Sequence, residues 1–395
     1  MGFITPDGFK HLDSYKYVSG GYSFLDTNVF NPFWEAVAKL LPMWLAPNLV
    51  TFIGFGFMAA SYLCMVPYDL TLENTIPRWT FFFAAFCQFV YQTLDAVDGK
   101  QARRTKSSSP LGQLFDHGCD SFSVTFLILS VAEAAKFGDD VDSYFALVSI
   151  ICYCFWVSNW SEYHTKVLRT HMYNFGTTEG ELVIIGVLLI SGIFGQDAWA
   201  TKVSDLLPGF IASNLPNAFA VALQKPVKLY VLYGFMGSFL LLAVVTFFNT
   251  VKAAKDKSEA ILQNLPIAML FVLNYLWSST VLYHNSRSLV SLIFGLNFSL
   301  LTCKLIVCSL TEMRFPKFHK ELVFFTIMTA ILRRDLFLPN LKLGFDIDNA
   351  VLISSLVFTV LTSFQWSSQV IQEITSHLGI YCFSLEKRPR AKTDQ

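Results

Sequence analysis

The sequence predicts an all-α polytopic membrane protein of about ten transmembrane helices, preceded by an N-terminal amphipathic helix lying at the bilayer surface. Three observations carry this. Hydrophobic residues make up 53% of the 395 and charged residues only 15%, a balance foreign to a soluble core of this size. The apolar residues gather in runs of bilayer-spanning length and do not alternate with polar ones. Lys and Arg recur in clusters between the runs, as membrane topology requires.

In chain order, residues 1–29 are polar and Tyr-rich and lack the apolar stretch of a cleavable signal peptide. Residues 30–45, FNPFWEAVAKLLPMWL, mix Phe30, Phe33, Trp34, Leu40, Leu41, Trp44 and Leu45 with Glu35 and Lys39, the composition of an interfacial helix. The expected spans are 49–67, 79–98, 113–135, 143–165, 179–196, 228–249, 264–284, 288–311, 319–336 and 350–372. Residues 197–227 form the longest lumenal connection and 250–263 a charged cytosolic loop. The chain divides into a cytosolic segment 1–45 with the interfacial helix, an integral domain 46–375 and a basic cytosolic tail 376–395, without repeats.

Orientation follows from the cations. Lys100, Arg103, Arg104 and Lys106 follow the second span, Lys166 and Arg169 the fourth, Lys252, Lys255 and Lys257 the sixth, and Arg314, Lys317 and Lys320 the eighth. Lys387, Arg388, Arg390 and Lys392 lie in the tail. All fall on one side of an even-numbered topology, which the positive-inside rule makes cytosolic. Arg333, Arg334 and Lys342, in the loop after the ninth span, are the exceptions.

With 29 basic and 29 acidic residues, there is no cationic excess to attract nucleic acid. Eight cysteines give no secreted disulfide scaffold. Cys152 and Cys154 lack zinc-site spacing and read as small core residues. His11, His171, His284, His319 and His377 are scattered without metal-ligand partners. Asn159-Trp160-Ser161 and Asn297-Phe298-Ser299 match the glycosylation pattern but fall within spans.

The chemistry concentrates in LDAVDGKQARRTKSSSPLGQLFDHGCD, where one apolar run leaves the membrane and the next enters it. Asp95, Asp98, Gly99, Ala102 and Arg103 share one helical face, and Gly112, Asp116 and Asp120 share another. Two helices joined by a Ser/Pro turn point four carboxylates into one cleft, where repulsion is tolerable only if cations neutralise it. Oxygen-only ligands suit Mg²⁺ or Mn²⁺ over zinc. A pair of divalent ions about 3.5–4 Å apart would stabilise attacking and leaving oxygens in a phosphoryl displacement. Arg103 is placed to engage phosphate through its guanidinium fork. Gly99, Ala102 and Gly112 either let a nucleotide approach the backbone or serve close helix packing.

The pattern D-x-x-D-G-x-x-A-R, eight residues, G-x-x-x-D-x-x-x-D fixes eight identities across 26 positions and resembles the signature of the CDP-alcohol phosphotransferases. APNLVT (Ala46 to Thr51), PRWT (Pro77 to Thr80), FDHGCD (Phe115 to Asp120), WSEYHT (Trp160 to Thr165) and TEG (Thr178 to Gly180) extend the likeness along nearly the whole chain, to the eukaryotic choline/ethanolaminephosphotransferases of fungal type. The resemblance implies transfer of phosphocholine or phosphoethanolamine from CDP-choline or CDP-ethanolamine to the hydroxyl of 1,2-diacylglycerol, releasing CMP. It also implies a homodimer resident in the endoplasmic reticulum or Golgi, with its active site toward the cytosol. By the family pattern Asp95, Asp98 and Asp116 are metal ligands, Asp120 is a ligand or a base, and the CDP moiety lies on the small residues.

His117, about 60° around the helix from Asp120, suits proton abstraction near neutral pH better than a metal-bound carboxylate does. Its alternative is a structural histidine. Trp160, Glu162, Tyr163 and His164 offer aromatic faces and a negative charge for an ammonium head group, or else belong to the aromatic belt of the interface. Glu179 opens the fifth span, where the helix dipole also favours it. Asn48 either bonds the substrate or caps the first span. Two other classes compete: a family relative with another acceptor such as inositol, and an ion or solute transporter. Metal-dependent CMP release separates the enzyme from the transporter.

Overall fold

The computed structural model describes residues 2–14, 21, 23–168, 171–172, 175–212, 214, 216–336 and 346–386. Arg169, Lys342 and the four cations of the tail, named above for topology, lie outside them. The regular structure of the described chain is helical apart from a two-residue antiparallel pairing, His171–Met172 with Phe175–Gly176, and an isolated bridge of Lys202 with Pro226. The principal helices are α1 (Pro6–Ser14), α2 (Asn31–Leu40), α3 (Pro47–Leu63), α4 (Trp79–Arg104), α5 (Pro110–Ala134), α6 (Val141–Thr165) and α7 (Thr177–Phe194). They continue with α8 (Val227–Ala253), α9 (Lys257–Leu262), α10 (Leu265–Ser278), α11 (Val281–Asn285), α12 (Arg287–Thr311), α13 (Lys320–Leu332) and α14 (Ile347–Leu378).

A helix occupies each of the ten stretches expected from the sequence. By length and composition, six are apolar enough to cross a membrane: Val141–Thr165, Thr177–Phe194, Val227–Ala253, Lys257–Ser278, Arg287–Thr311 and Ile347–Leu378. Helix α3, at 17 residues, and α13, at 13, are shorter, while α4 and α5 carry the aspartates. The seventh stretch divides into α10 and α11, because Thr280 leaves helical geometry and caps the second piece through the Tyr283 N–H. The long 197–227 connection contains short helical turns, among them Asn217–Ala222.

Apolar side chains cover much of the outside as well as the core. Only 11% of the apolar window of α8 is buried, and Leu240, Leu241, Val244, Val245 and Phe248 face outward. An apolar face of this extent belongs in a hydrocarbon environment. Inside, α3 packs on α4 and α5, α4 on α7, and α12 on α5 and α6. Helix α12 is the most enclosed, with 83% of its window buried.

Ion pairs sort the ends of the bundle. At one end Arg314 forks onto Glu259, and Lys166 and His11 both face Glu312 at 3.6 Å. At the other, fully buried Arg287 donates to Thr71 O at 2.7 Å and Glu73 Oε1 at 3.1 Å, and Gln196 ties Ile76 N to Glu133 O. The exceptional arginines are neutralised locally. Arg333 donates to Leu276 O at 3.1 Å and pairs with Asp335, and Arg334 pairs with Asp348.

Candidate active site

The aspartates depend on how α4 and α5 are held. Arg104 and Gln101, at the end of α4, donate to the carbonyls that finish α2 and its following turn: Arg104 to Ala38 O, and Gln101 to Pro42 O at 2.9 Å and Leu45 O at 3.0 Å. These bonds pin the end of α4 to the end of α2 and the turn that follows it. Trp34 and Ala38 of α2 bury against Val97. The turn to α5 is short. Ser109 caps that helix by accepting from Gly112 N–H at 3.2 Å, with Pro110 in the first turn.

Carboxylate oxygens of Asp95, Asp98 and Asp116 lie within 4.8 Å of one another. The Asp95 carboxyl faces both Asp116 and Asp120, so the cleft expected from two helical stripes is formed. Among the described residues none of the four aspartates pairs with a Lys or Arg. One oxygen of Asp95 is buried with no hydrogen-bond partner. Four carboxylates with no Lys or Arg ion pair among the described residues, one with an orphaned oxygen, suit a metal ion.

The rest of the expected site divides. A Cβ at Gly99 would stand 3.6 Å from Arg103 Nη1, so the exposed guanidinium folds back along the helix beside Asp98. Ala102 lies on the same face, half-buried. At Gly112 a Cβ would stand 3.8 Å from Asn48 Oδ1, which brings Asn48 to the α5 side of the cleft. Asn48 does not cap α3, whose first turn has no side-chain cap. His117 is buried, with Nε2 3.7 Å from Asp116 Oδ2. Glu162 accepts from Gln113 Nε2 at 2.7 Å, one turn before Asp116.

Trp160 goes elsewhere. It is wholly buried, stacked on Phe247 of α8 at 5.4 Å, and donates to Gln263 Oε1 at 3.1 Å. Two residues turn a helix by about 200°, so Glu162 and Trp160 cannot face the same neighbours, and Trp160 is a packing residue. Tyr163 donates to Met313 O at 3.1 Å, and His164 contacts Gln263, the acceptor of the Trp160 bond, at 2.8 Å. Glu179 accepts from Gly176 N–H at 2.8 Å, so its carboxylate reaches back over the first turn of α7, and its place at a helix start is explained by that bond.

Three residues were missed. Thr51 donates its hydroxyl to Asp98 Oδ2, and Tyr91 donates to Asp120 Oδ1. Tyr91 is four residues before Asp95, so extending that helical face by one turn would have found it. Glu181 of α7 faces Asp120 and lies against Gln92. Its only local signal is a carboxylate inside an apolar run. The eight cysteines are all free, with Cys152 and Cys154 buried, and Asn159 and Asn297 are buried too.

The model of the CDP-alcohol phosphatidyltransferase family matches residues 44–204, a stretch that contains every site residue named here. Similarity continues past it. Choline/ethanolaminephosphotransferase 1 of Arabidopsis thaliana is 32% identical over 402 residues, covering 98% of this chain and all of the relative. The chain belongs to the CDP-alcohol phosphatidyltransferase family. Cholinephosphotransferase 1 of Saccharomyces cerevisiae is 32% identical across 99% of this chain and all of that protein. Ethanolaminephosphotransferase 1 of Homo sapiens is 29% identical across 98% of this chain and 95% of its own length. The names of these family members cover choline, ethanolamine and both, so similarity does not select a head group.

Proposed function

We propose that this family member transfers phosphocholine or phosphoethanolamine from its CDP ester to the hydroxyl of 1,2-diacylglycerol, releasing CMP and forming phosphatidylcholine or phosphatidylethanolamine. The observation that carries the reading is the carboxylate cleft, with Arg103 folded over Gly99 beside it, in a chain similar end to end to phosphotransferases of this kind. Asp95, Asp98, Asp116 and Asp120 would hold two divalent ions, Mg²⁺ or Mn²⁺. Bound there, they would neutralise the diphosphate and the charge developing on entering and leaving oxygens. Thr51 orients Asp98, and Tyr91 orients Asp120. Arg103 binds phosphate oxygens, and Gly99, Ala102 and Gly112 leave room for the nucleotide against the helix backbones, with Asn48 at its edge. The acceptor oxygen bonds to the phosphorus that carries the choline or ethanolamine oxygen, the bond from that phosphorus to the CMP oxygen breaks with its electron pair leaving on CMP, and His117 takes the hydroxyl proton. On this reading Glu162, Glu179 and Glu181 are the negative groups offered to a cationic head group.

Purified protein given diacylglycerol and each CDP ester in turn, with Mg²⁺ and Mn²⁺ compared, is expected to release CMP and form phospholipid. Chelation should stop turnover and added cation restore it. Absence of CMP release with either ester would refute the reaction.

Ten spans place both termini and the 105–109 turn on one side, which the cation clusters make cytosolic, with α2 at the interface. A cysteine placed at Ser108 in a cysteine-depleted background should react with an impermeant reagent from the cytosolic side of sealed vesicles; labelling only from the lumen would reverse the orientation. Residence in the endoplasmic reticulum or Golgi and homodimeric assembly rest on the family likeness.

A further inference from the structure

The chain after α14 returns to the active-site end of α3 and α5. Gly379, at φ +64°, turns out of the helix, and Ile380 N–H bonds back to Thr375 O at 3.1 Å. A left-handed C′ glycine fixes the exit direction in this way. The segment before α1 and α1 itself anchor the same region: Glu373 accepts from Phe3 N–H at 2.9 Å and Ile4 N–H at 3.0 Å, and His377 contacts Asp13 of α1 at 2.9 Å. Ile380 and Cys382 then pack on the buried cluster that includes Leu111 and Leu114. Cys382 Sγ lies 3.8 Å from Asn48 Nδ2. Phe383 meets Phe52 and Phe115, both at 5.4 Å between ring centroids.

Those two residues neighbour the cleft residues in the chain. Phe52 follows Thr51, which holds Asp98, and Phe115 precedes Asp116. From Phe52 the aromatic row continues down α3 and α5, to Phe55 at 6.2 Å, and from Phe55 to Phe122 at 6.3 Å and Phe126 at 5.9 Å. Phe52 and Phe383 are 47% and 45% exposed, whereas Phe115 is 9% exposed, so the cluster presents an open aromatic edge rather than a closed core.

We propose that residues 380–383 form the outer wall of the entrance by which diacylglycerol reaches the carboxylates, with Phe383 a positioning residue for that lipid. The inference rests on the transfer reaction proposed above. A diacylglycerol must bring one hydroxyl to Asp116 and His117 while its acyl chains stay in hydrocarbon. An aromatic row that starts beside Asp116 and descends between two apolar helices meets both demands. The nucleotide is polar and anionic, so it gains little from such a row and belongs with Arg103 and the glycines.

In mixed micelles, Phe383→Ala in the full chain should raise KM for diacylglycerol roughly 3- to 10-fold, the loss of about one aromatic contact. KM for the CDP ester and metal-dependent CMP binding should hold, and Phe383→Leu should recover most of the lipid affinity. Should the alanine variant fold poorly, wild-type protein photolabelled with a diacylglycerol carrying a diazirine in its acyl chain decides the matter. Labels are expected within 49–56, 110–126 or 379–386. An unchanged lipid KM in Phe383→Ala, or wild-type labels confined to other segments, would overturn the proposal while leaving the reaction standing. Wild-type protein that transfers to no diacylglycerol would instead remove the reaction it rests on.

Discussion

Asp95→Asn and Asp98→Asn should each lower turnover by roughly 10³-fold or more, about 4 kcal/mol of transition-state stabilisation, without loss of the folded protein. Each removes a charge from a group of three carboxylates whose oxygens lie within 4.8 Å, and a divalent ion bound there depends on that charge. The two variants differ in their surroundings. Asp95 has an oxygen with no partner, so its amide loses no hydrogen bond made by that atom, whereas Asp98 accepts from Thr51, and its amide must turn its oxygen toward the hydroxyl to keep that bond. Without metal, both substitutions relieve like-charge repulsion, so the metal-free variants should melt no lower than metal-free wild type. Metal added to wild type should raise Tm by linkage, and this rise should shrink or vanish in the variants. Turnover near wild type in either variant, in protein of normal chromatographic behaviour, would sink the ligand assignment.

The cleft was legible from sequence because it is built by two helices adjacent in the chain. Helical period alone puts Asp95 beside Asp98 and Asp116 beside Asp120, and the short 105–109 turn forces the two stripes to meet. The same reasoning failed at Trp160, where the aromatic type suggested a cation cage but the packing of α6 against α8 settles which face turns inward. Thr51 and Glu181 come from α3 and α7, and no local spacing links either to the aspartates. The strap at 380–383 is separated from Asn48 by 334 residues at its Cys382 contact. Its place depends on the turn at Gly379 and on α1, and neither carries a signal of chemistry. Helix positions were readable throughout because apolar runs of this length report themselves. The break between α10 and α11 was not, since Ser279 and Thr280 lie inside an apolar stretch and differ from it only in capping.

His117→Ala should cut kcat by roughly 10² to 10⁴ fold, the range for loss of a general base, with metal-dependent binding of the CDP ester little changed. The imidazole is buried and its Nε2 lies 3.7 Å from Asp116 Oδ2, so it stands at the rim of the carboxylates without sharing their stripe. Asp120 is differently held. It accepts from Tyr91 and faces Asp95, a position within the cluster, and Asp120→Asn should therefore weaken nucleotide binding together with turnover. The distinction is between a group that acts only as the hydroxyl loses its proton and one that builds the ground-state site. Rapid-quench single turnovers with saturating CDP ester, beside equilibrium binding of CMP in the presence of Mg²⁺, separate the two. If His117→Ala keeps most of its turnover, or loses nucleotide affinity as severely as Asp120→Asn, the proton passes to Asp120 and the histidine serves to orient Asp116.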